Sequence, residues 1–173
     1  RRGEPVAAAR QFQAIDRLMA RVRSVGLRLT EPPDYRTARR DKFDRAIEWF
    51  MTSGQDASRG GRWRDARRAF SNARGDFDPS RSQVEASFGA EENLLLDWAK
   101  VELTDQHPRA AYGIAGRALE VRNSPPRVVV LDVRDLQERA LAMGTIVVAA
   151  LPVTAVASVR DVVGAQFEIQ LHE

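Results

Sequence analysis

The sequence predicts a mainly α fold: stacked antiparallel helical hairpins, followed by a short apolar C-terminal segment that is predicted to be β. Apolar residues recur at three- and four-residue spacing in six successive segments, which is typical of helices with one buried face. Glycine and proline clusters separate these segments. Near the C-terminus, twenty consecutive residues carry no charged side chain, so this region differs in character from the rest of the chain.

Length and composition restrict the class of protein. The chain has 173 residues, enough for one domain or for one domain with an appendage, and a hydrophobic fraction of 43% can fill a core. A charged fraction of 29% argues against a wholly membrane-embedded chain. The absence of cysteine excludes disulfides, thiol catalysis and cysteine-ligated metal sites. Apart from Lys42 and Lys100, every basic residue other than histidine is arginine, which is typical of a GC-rich bacterial genome.

The first two helices are predicted at about residues 4–26 and 35–58, with Gly26 and Pro32-Pro33 between them. The apolar stripe of the first helix consists of Phe12, Ile15, Leu18, Met19, Val22 and Val25. That of the second consists of Phe43, Ala46, Ile47, Phe50 and Met51. We expect the two stripes to pack against each other.

Four further helices are predicted at about residues 63–74, 83–103, 108–121 and 127–142. Pro108 suits the first turn of its helix because proline has no backbone N–H to leave unpaired there. The last of these helices starts with a run of four aliphatic residues, which taken alone would also fit a strand.

The segment from about residue 41 to 79 resembles one unit of the tetratricopeptide repeat, a helix–turn–helix motif of 34 residues. The residues at the positions of this motif are Gly54 in the first helix, Gly61 at the turn, Trp63 after it, and the small-aromatic-small set Ala66, Phe70 and Ala73 in the second helix. Two features depart from the motif: Ser53 replaces a large apolar residue, and Pro79 lies one position late.

A second segment, from about residue 91 to 125, resembles the same motif. Leu95, Trp98, Ala99, Ala111 and Ala118 match it, whereas Ala115 replaces its aromatic residue and Pro108 replaces its turn aromatic. The two units are offset by 45 residues, from Ala66 to Ala111, instead of 34. The alternative to this family is an unrelated small helical bundle with the same packing logic.

The resemblance implies a protein-binding or scaffolding role, because such hairpins stack into arrays whose concave surface contacts other proteins. First helices of the hairpins line that surface. The partner-binding residues it implies here are Glu48, Thr52, Gln55, Asn93, Asp97 and Lys100. Ordinary solvated polar side chains would give the same pattern.

The charge-free stretch 140–159 is long enough to span a membrane. Pro152 near its middle and three hydroxyl residues favour a buried strand over a membrane helix. The tail alternates apolar and polar residues at Phe167, Ile169 and Leu171, which also favours a strand. The predicted division is therefore a helical-hairpin domain at 1–142 and an apolar appendage at 143–173. The start of a truncated α/β domain is one interpretation of the appendage.

Charge is unevenly spread along the chain. Nineteen basic and eleven acidic residues through Ser82 give a net charge of +8, and eight basic and thirteen acidic residues from Gln83 onward give −5. This polarity would favour a homo-oligomer with head-to-tail contacts.

Arg64, Arg67 and Arg68 could form a phosphate-binding face, so an arginine-rich nucleic-acid-binding domain is the alternative function. Acidic residues interleaved with these arginines favour protein partners instead.

No motif for catalysis, phosphate binding or metal binding occurs in the sequence, and the two histidines, His107 and His172, have no partner at ligand spacing. We therefore expect a non-enzymatic protein without cofactor or metal.

The first residue is Arg1 and not methionine, which would fit a processed form or a piece of a longer protein. Together with the apolar C-terminal segment, this favours the bacterial cell envelope or periplasm, with the cytoplasm as the alternative.

Overall fold

The computed structural model describes residues 4–27 and 30–144. This part of the chain forms six helices and contains no strand. Their bounds are α1 Glu4–Ser24, α2 Tyr35–Arg59, α3 Trp63–Gly75, α4 Arg81–Thr104, α5 Pro108–Leu119 and α6 Arg127–Gly144. The mainly α prediction is confirmed, and each helix begins and ends within about two residues of its predicted bounds. The predicted strands, and most of stretch 140–159, lie outside the described residues.

The chain divides into two compact units, Arg1–Leu94 and Leu95–Glu173. The first contains α1, α2, α3 and the N-terminal part of α4. The second contains the remainder of α4 with α5 and α6. Neighbouring helices pack against each other within each unit, as in a helical-hairpin arrangement.

A three-residue turn joins α2 to α3 and closes their hairpin. The amide of Gly61 donates to the carbonyl of Ser58 at 2.9 Å, and the amide of Arg62 donates to the carbonyl of Ala57 at 2.8 Å. This is the bonding pattern of a Schellman motif, which requires a left-handed residue at its centre. Gly61 has φ +68 and adopts that conformation without a Cβ clash.

The core of the first unit consists of two apolar clusters. The larger cluster joins α1, α2 and the end of α3, and its aromatic centre consists of Phe43, Phe50 and Phe77. The ring centroids of Phe43 and Phe77 lie 5.4 Å apart. The smaller cluster packs Ala57 of α2 and Phe70 of α3 against Leu94 of α4. Helix α3 therefore contributes to both clusters, through Ala73 and Phe70 respectively.

In the core of the second unit, the end of α4 packs together with α5 and α6 in one cluster. Its buried members are Leu95, Leu96, Ala99, Ile114, Ala115, Ala118, Val129, Val133 and Leu136. Three buried alanines of α5 leave room for the larger side chains of its neighbours: Ala111, Ala115 and Ala118.

The expected packing of α1 is only partly correct. Met19 is buried and Phe12 is half-buried, but Ile15, Leu18 and Val25 are 42%, 58% and 70% exposed. Contact with the core runs instead through Val6 and Ala9. Because α2 covers one side of α1, the residues on the other side of the predicted stripe remain on the surface.

Candidate functional site

The polar face of α2 contains three of the six predicted contact residues. Glu48, Thr52 and Gln55 are four and three positions apart, so they lie on one side of the helix, and all three are exposed. Within the described residues Glu48 forms no ion pair. The same helix buries Ile47 and Phe50 on its other side, so packing of the core fixes the direction in which this polar face points.

The other three predicted contact residues belong to α4. Asn93 lies in the first unit, and Asp97 and Lys100 lie in the second. All three are exposed. Lys100 Nζ donates to Asp97 Oδ1 at 3.0 Å, one helical turn apart. These two side chains therefore neutralise each other at the surface.

Arg64, Arg67 and Arg68 of α3 differ in their surroundings. Arg64 and Arg68 are exposed and form no ion pair with a described residue. Arg67 is half-buried, and its Nε donates to Glu91 Oε1 at 2.8 Å. The structure therefore leaves two of these three guanidinium groups open to a ligand and engages the third within the unit.

Glu91 is the centre of a polar cluster between α3 and α4 that the sequence analysis missed. It is 3% exposed, and Arg74 Nη2 donates to its second oxygen, Oε2, at 2.6 Å. Arg74 Nη1 also donates to Ser87 Oγ at 3.1 Å, and that hydroxyl donates to the carbonyl of Phe70 at 2.7 Å. Arg74 further lies over the ring of Phe88, 4.5 Å from its centroid.

This cluster fastens α4 to α3 in a fixed register. Each oxygen of the buried carboxylate accepts a charge-assisted hydrogen bond, which satisfies the group that burial would otherwise penalise. No buried side-chain nitrogen or oxygen in the described part of the chain lacks a partner. The signal in the sequence is the spacing of Ser87 and Glu91 with Leu94 and Leu95, since all four recur on the buried side of α4.

Most other arginines around the α2–α3 hairpin pair with carboxylates of the chain itself. Five such pairs, at 2.7 to 3.1 Å, are Arg39 with Asp16, Arg36 with Glu31, Arg45 with Asp41, Arg40 with Asp44 and Arg59 with Asp56. Hydrogen bonding from Arg36 keeps the pKa of Glu31 below its usual value. Many arginines of this region are thus paired at close range, and its net charge of +8 resides in the arginines that are not.

An open groove of about 550 Å³ lies between α1 and α2, lined by Val6, Ala7, Arg10, Trp49 and Phe50.

Residues 4–27 and 30–144 contain no group of three or more histidine or acidic side chains placed to hold a metal ion. Among the helices described, none is both long and apolar enough to cross a membrane.

Comparison of the chain with protein-family models, with curated proteins and with solved structures finds no match. The candidate surfaces are therefore identified from the structure alone. They are the exposed polar face of α2, the two unpaired arginines of α3, and the groove between α1 and α2.

Proposed function

We propose that the chain is a non-enzymatic protein-binding or scaffolding module built on hairpins similar to tetratricopeptide repeats. The observation that carries the proposal is the packing of the first hairpin. Gly54 faces the ring of Phe70, Ala66 and Ala73 are fully buried, and Gly61 forms the left-handed turn. Their packing agrees with what the resemblance to a tetratricopeptide repeat implies for these positions, which supports the proposal.

The proposed partner surface of the first unit is the exposed polar face of Glu48, Thr52 and Gln55. Asn93 of the same unit, and Asp97 and Lys100 of the second unit, are proposed as separate further contacts. Support comes from the way the hairpin is built. Helix α2 buries one side in the core and presents uncompensated polar groups on the other, which is how first helices of such arrays contact partners.

Nucleic-acid binding through Arg64, Arg67 and Arg68 has less support. Arg67 neutralises Glu91, and neighbouring arginines pair with aspartates and glutamates, so two guanidinium groups remain where a duplex would need several phosphate contacts.

We propose the bacterial cell envelope as the location, with stretch 140–159 as a means of membrane association and with head-to-tail self-association as an additional contact.

The experiment is affinity capture from a nuclease-treated native lysate with detergent, scored by mass spectrometry. The wild-type chain is compared with a triple variant of the α2 face, Glu48→Ala, Thr52→Ala and Gln55→Ala. A matched triple variant of the exposed α3 surface, Asp65→Ala, Arg68→Ala and Ser71→Ala, serves as the control.

A defined set of proteins that resists nuclease, disappears with the α2 variant and persists with the α3 variant would support the proposal. If nuclease treatment removed all captured material, and the α3 variant captured none without nuclease, the result would indicate that the chain binds nucleic-acid phosphates instead. Equal capture by all three chains would show that the α2 face is not the partner surface.

A further inference from the structure

Helix α1 carries an apolar row that is largely exposed within the described part of the chain. Ile15, Leu18, Val22 and Val25 follow one another at steps of three, four and three residues. Val22 is half-buried, and the other three are 42%, 58% and 70% exposed. Leu27, directly after the helix, extends the row and is also exposed. Isolated exposed aliphatic residues are ordinary, but a continuous row along one helix marks an interaction surface.

The spacing of this row matches the seam of a two-helix coiled coil. In heptad terms Ile15 and Val22 occupy position a, and Leu18 and Val25 occupy position d. Branching at Cβ in the a positions suits pairing of two helices. The row is about 15 Å long, since each helical residue rises about 1.5 Å. A narrow seam with this period fits one more helix better than it fits a broad flat surface.

One border of the row is positively charged. Arg21 lies directly beside the row, at position g of the same heptads, and Arg17 and Arg10 lie further out on the same side of α1, at position c; all three are exposed. None of them forms an ion pair within residues 4–27 and 30–144. Arg23, on the far side of the helix, pairs instead with Glu31 at 2.7 Å. The guanidinium groups beside the row are therefore available for carboxylates of another molecule.

The other border is closed by packing on α2. Phe12 and Met19 lie on that side, and the ring of Phe12 contacts that of Tyr35 at a centroid distance of 5.4 Å. A docked helix must therefore lie along the arginine border. At the N-terminal end of that border Arg10 also lines the groove with Trp49, so a bulky side chain of the docked helix has a place to enter.

We propose that this face of α1 is the docking site for an amphipathic helix of a partner protein, with an apolar seam and a row of carboxylates along one edge. Charge decides between occupants. A second copy docking antiparallel through the same face would bring its own Arg21 toward this Arg21, with Arg17 of both chains on the same side, which opposes such a dimer. This inference rests on the proposed function in that the chain binds proteins, but it uses a surface distinct from the α2 face.

The test uses two synthetic peptides of 21 residues as probes. Both carry Ile at a and Leu at d; the acidic peptide has Glu at every e and g position, and the basic peptide has Lys there. Mutual repulsion of the glutamates keeps the acidic peptide from pairing with itself at neutral pH. Binding to the full chain is measured by fluorescence anisotropy at two salt concentrations. We expect the acidic peptide to bind at least ten-fold more tightly than the basic one, and more weakly at high salt.

Three variants identify the surface. Leu18→Asp should weaken binding of the acidic peptide by at least ten-fold, and Arg21→Glu should shift preference toward the basic peptide. Val128→Asp, at an exposed aliphatic residue of α6, should leave binding unchanged. Circular dichroism melts verify that each variant remains folded. The α2-face triple variant should also bind the acidic peptide normally, so failure of the α2 surface and failure of the α1 surface give different results.

Absence of binding, equal binding of the two peptides, or insensitivity to Leu18→Asp would overturn the inference. Two further outcomes would assign the face to another occupant. Binding to vesicles of phosphatidylglycerol and phosphatidylcholine that Leu18→Asp abolishes, without peptide binding, would indicate a lipid surface. A dimer in light scattering that Leu18→Asp dissociates would indicate a second copy.

Discussion

A Cβ atom added at Gly54 would lie 2.5 Å from Cε1 of Phe70, closer than two such carbons can approach. Gly54 lies in the middle of α2, where glycine weakens a helix by about 1 kcal/mol relative to alanine. Its position is explained by the partner helix: Phe70 of α3 is 2% exposed and its ring occupies the space that a side chain at residue 54 would need. The small residue thus allows α2 and α3 to approach each other.

Gly54→Ala should therefore lower the free energy of unfolding, although alanine is the better helix former. Overpacking of this kind reduces stability by about 1–3 kcal/mol. The matched control is Gly89→Ala in α4, where an added Cβ meets no atom within 4 Å and stability should rise by up to about 1 kcal/mol. Urea denaturation of both variants measures the difference. Equal gains in the two variants would mean that Phe70 does not fill this space.

The buried carboxylate of Glu91 gives a second prediction. Glu91→Gln removes the charge that Arg67 and Arg74 share and replaces one acceptor oxygen by a donor. We expect a loss of about 1–3 kcal/mol of unfolding free energy, the range for hydrogen bonds to charged groups. Asp97→Asn breaks an exposed pair with Lys100 and should change stability by less than about 1 kcal/mol. If denaturation shows the same small change for both, the cluster does not fasten α4 to α3.

The sequence predicted the six helices well because the signals that define them are local. Trp63 follows a glycine turn and Pro108 begins a helix, and both mark helix starts in the structure as they do in the sequence. Burial is less local. Glu91 is charged yet buried, and Ile15 is apolar yet exposed, because each depends on which other helix covers it. The same holds for the contact surfaces. The helical periodicity of α2 predicts that Glu48 is exposed, but nothing in the sequence of α1 predicts which side of its apolar row α2 covers.

Phe77 illustrates the same limit and gives a third prediction. It follows α3 in a segment whose glycine and proline indicate only a loop, yet it is fully buried and contacts Phe43 and Phe50. Phe77→Ala should reduce the free energy of unfolding by about 3–5 kcal/mol, as for other buried aromatic residues. Trp63→Ala, at the half-buried first residue of α3, should lower it by less. Denaturation curves showing Phe77→Ala within 1 kcal/mol of wild type would contradict this core assignment.

The contact between α1 and α2 should respond to alkaline pH through Tyr35. Its hydroxyl donates to Asp16 Oδ1 at 2.9 Å, and Arg39 Nε donates to Asp16 Oδ2 at 2.7 Å. Burial, followed by the hydrogen bond to Asp16, raises the pKa of Tyr35 to about 12 from an ordinary value of 10.0. Because the folded state holds the phenol proton more tightly than the unfolded state, this contribution to stability is complete below about pH 10. It is lost as the pH rises toward about 12.

The expected result is a fall in Tm between about pH 10 and pH 12 that is shallower in Tyr35→Phe, because phenylalanine has no proton to lose. At neutral pH the same variant should melt at a lower temperature, since the hydrogen bond to Asp16 is absent. Tyr112→Phe in α5 serves as the control and should retain the alkaline fall of the wild type. Ultraviolet difference titration of wild type against Tyr35→Phe isolates the ionisation of this phenol directly. A midpoint near pH 10 in that titration would show that Tyr35 is solvated and does not fasten α1 to α2.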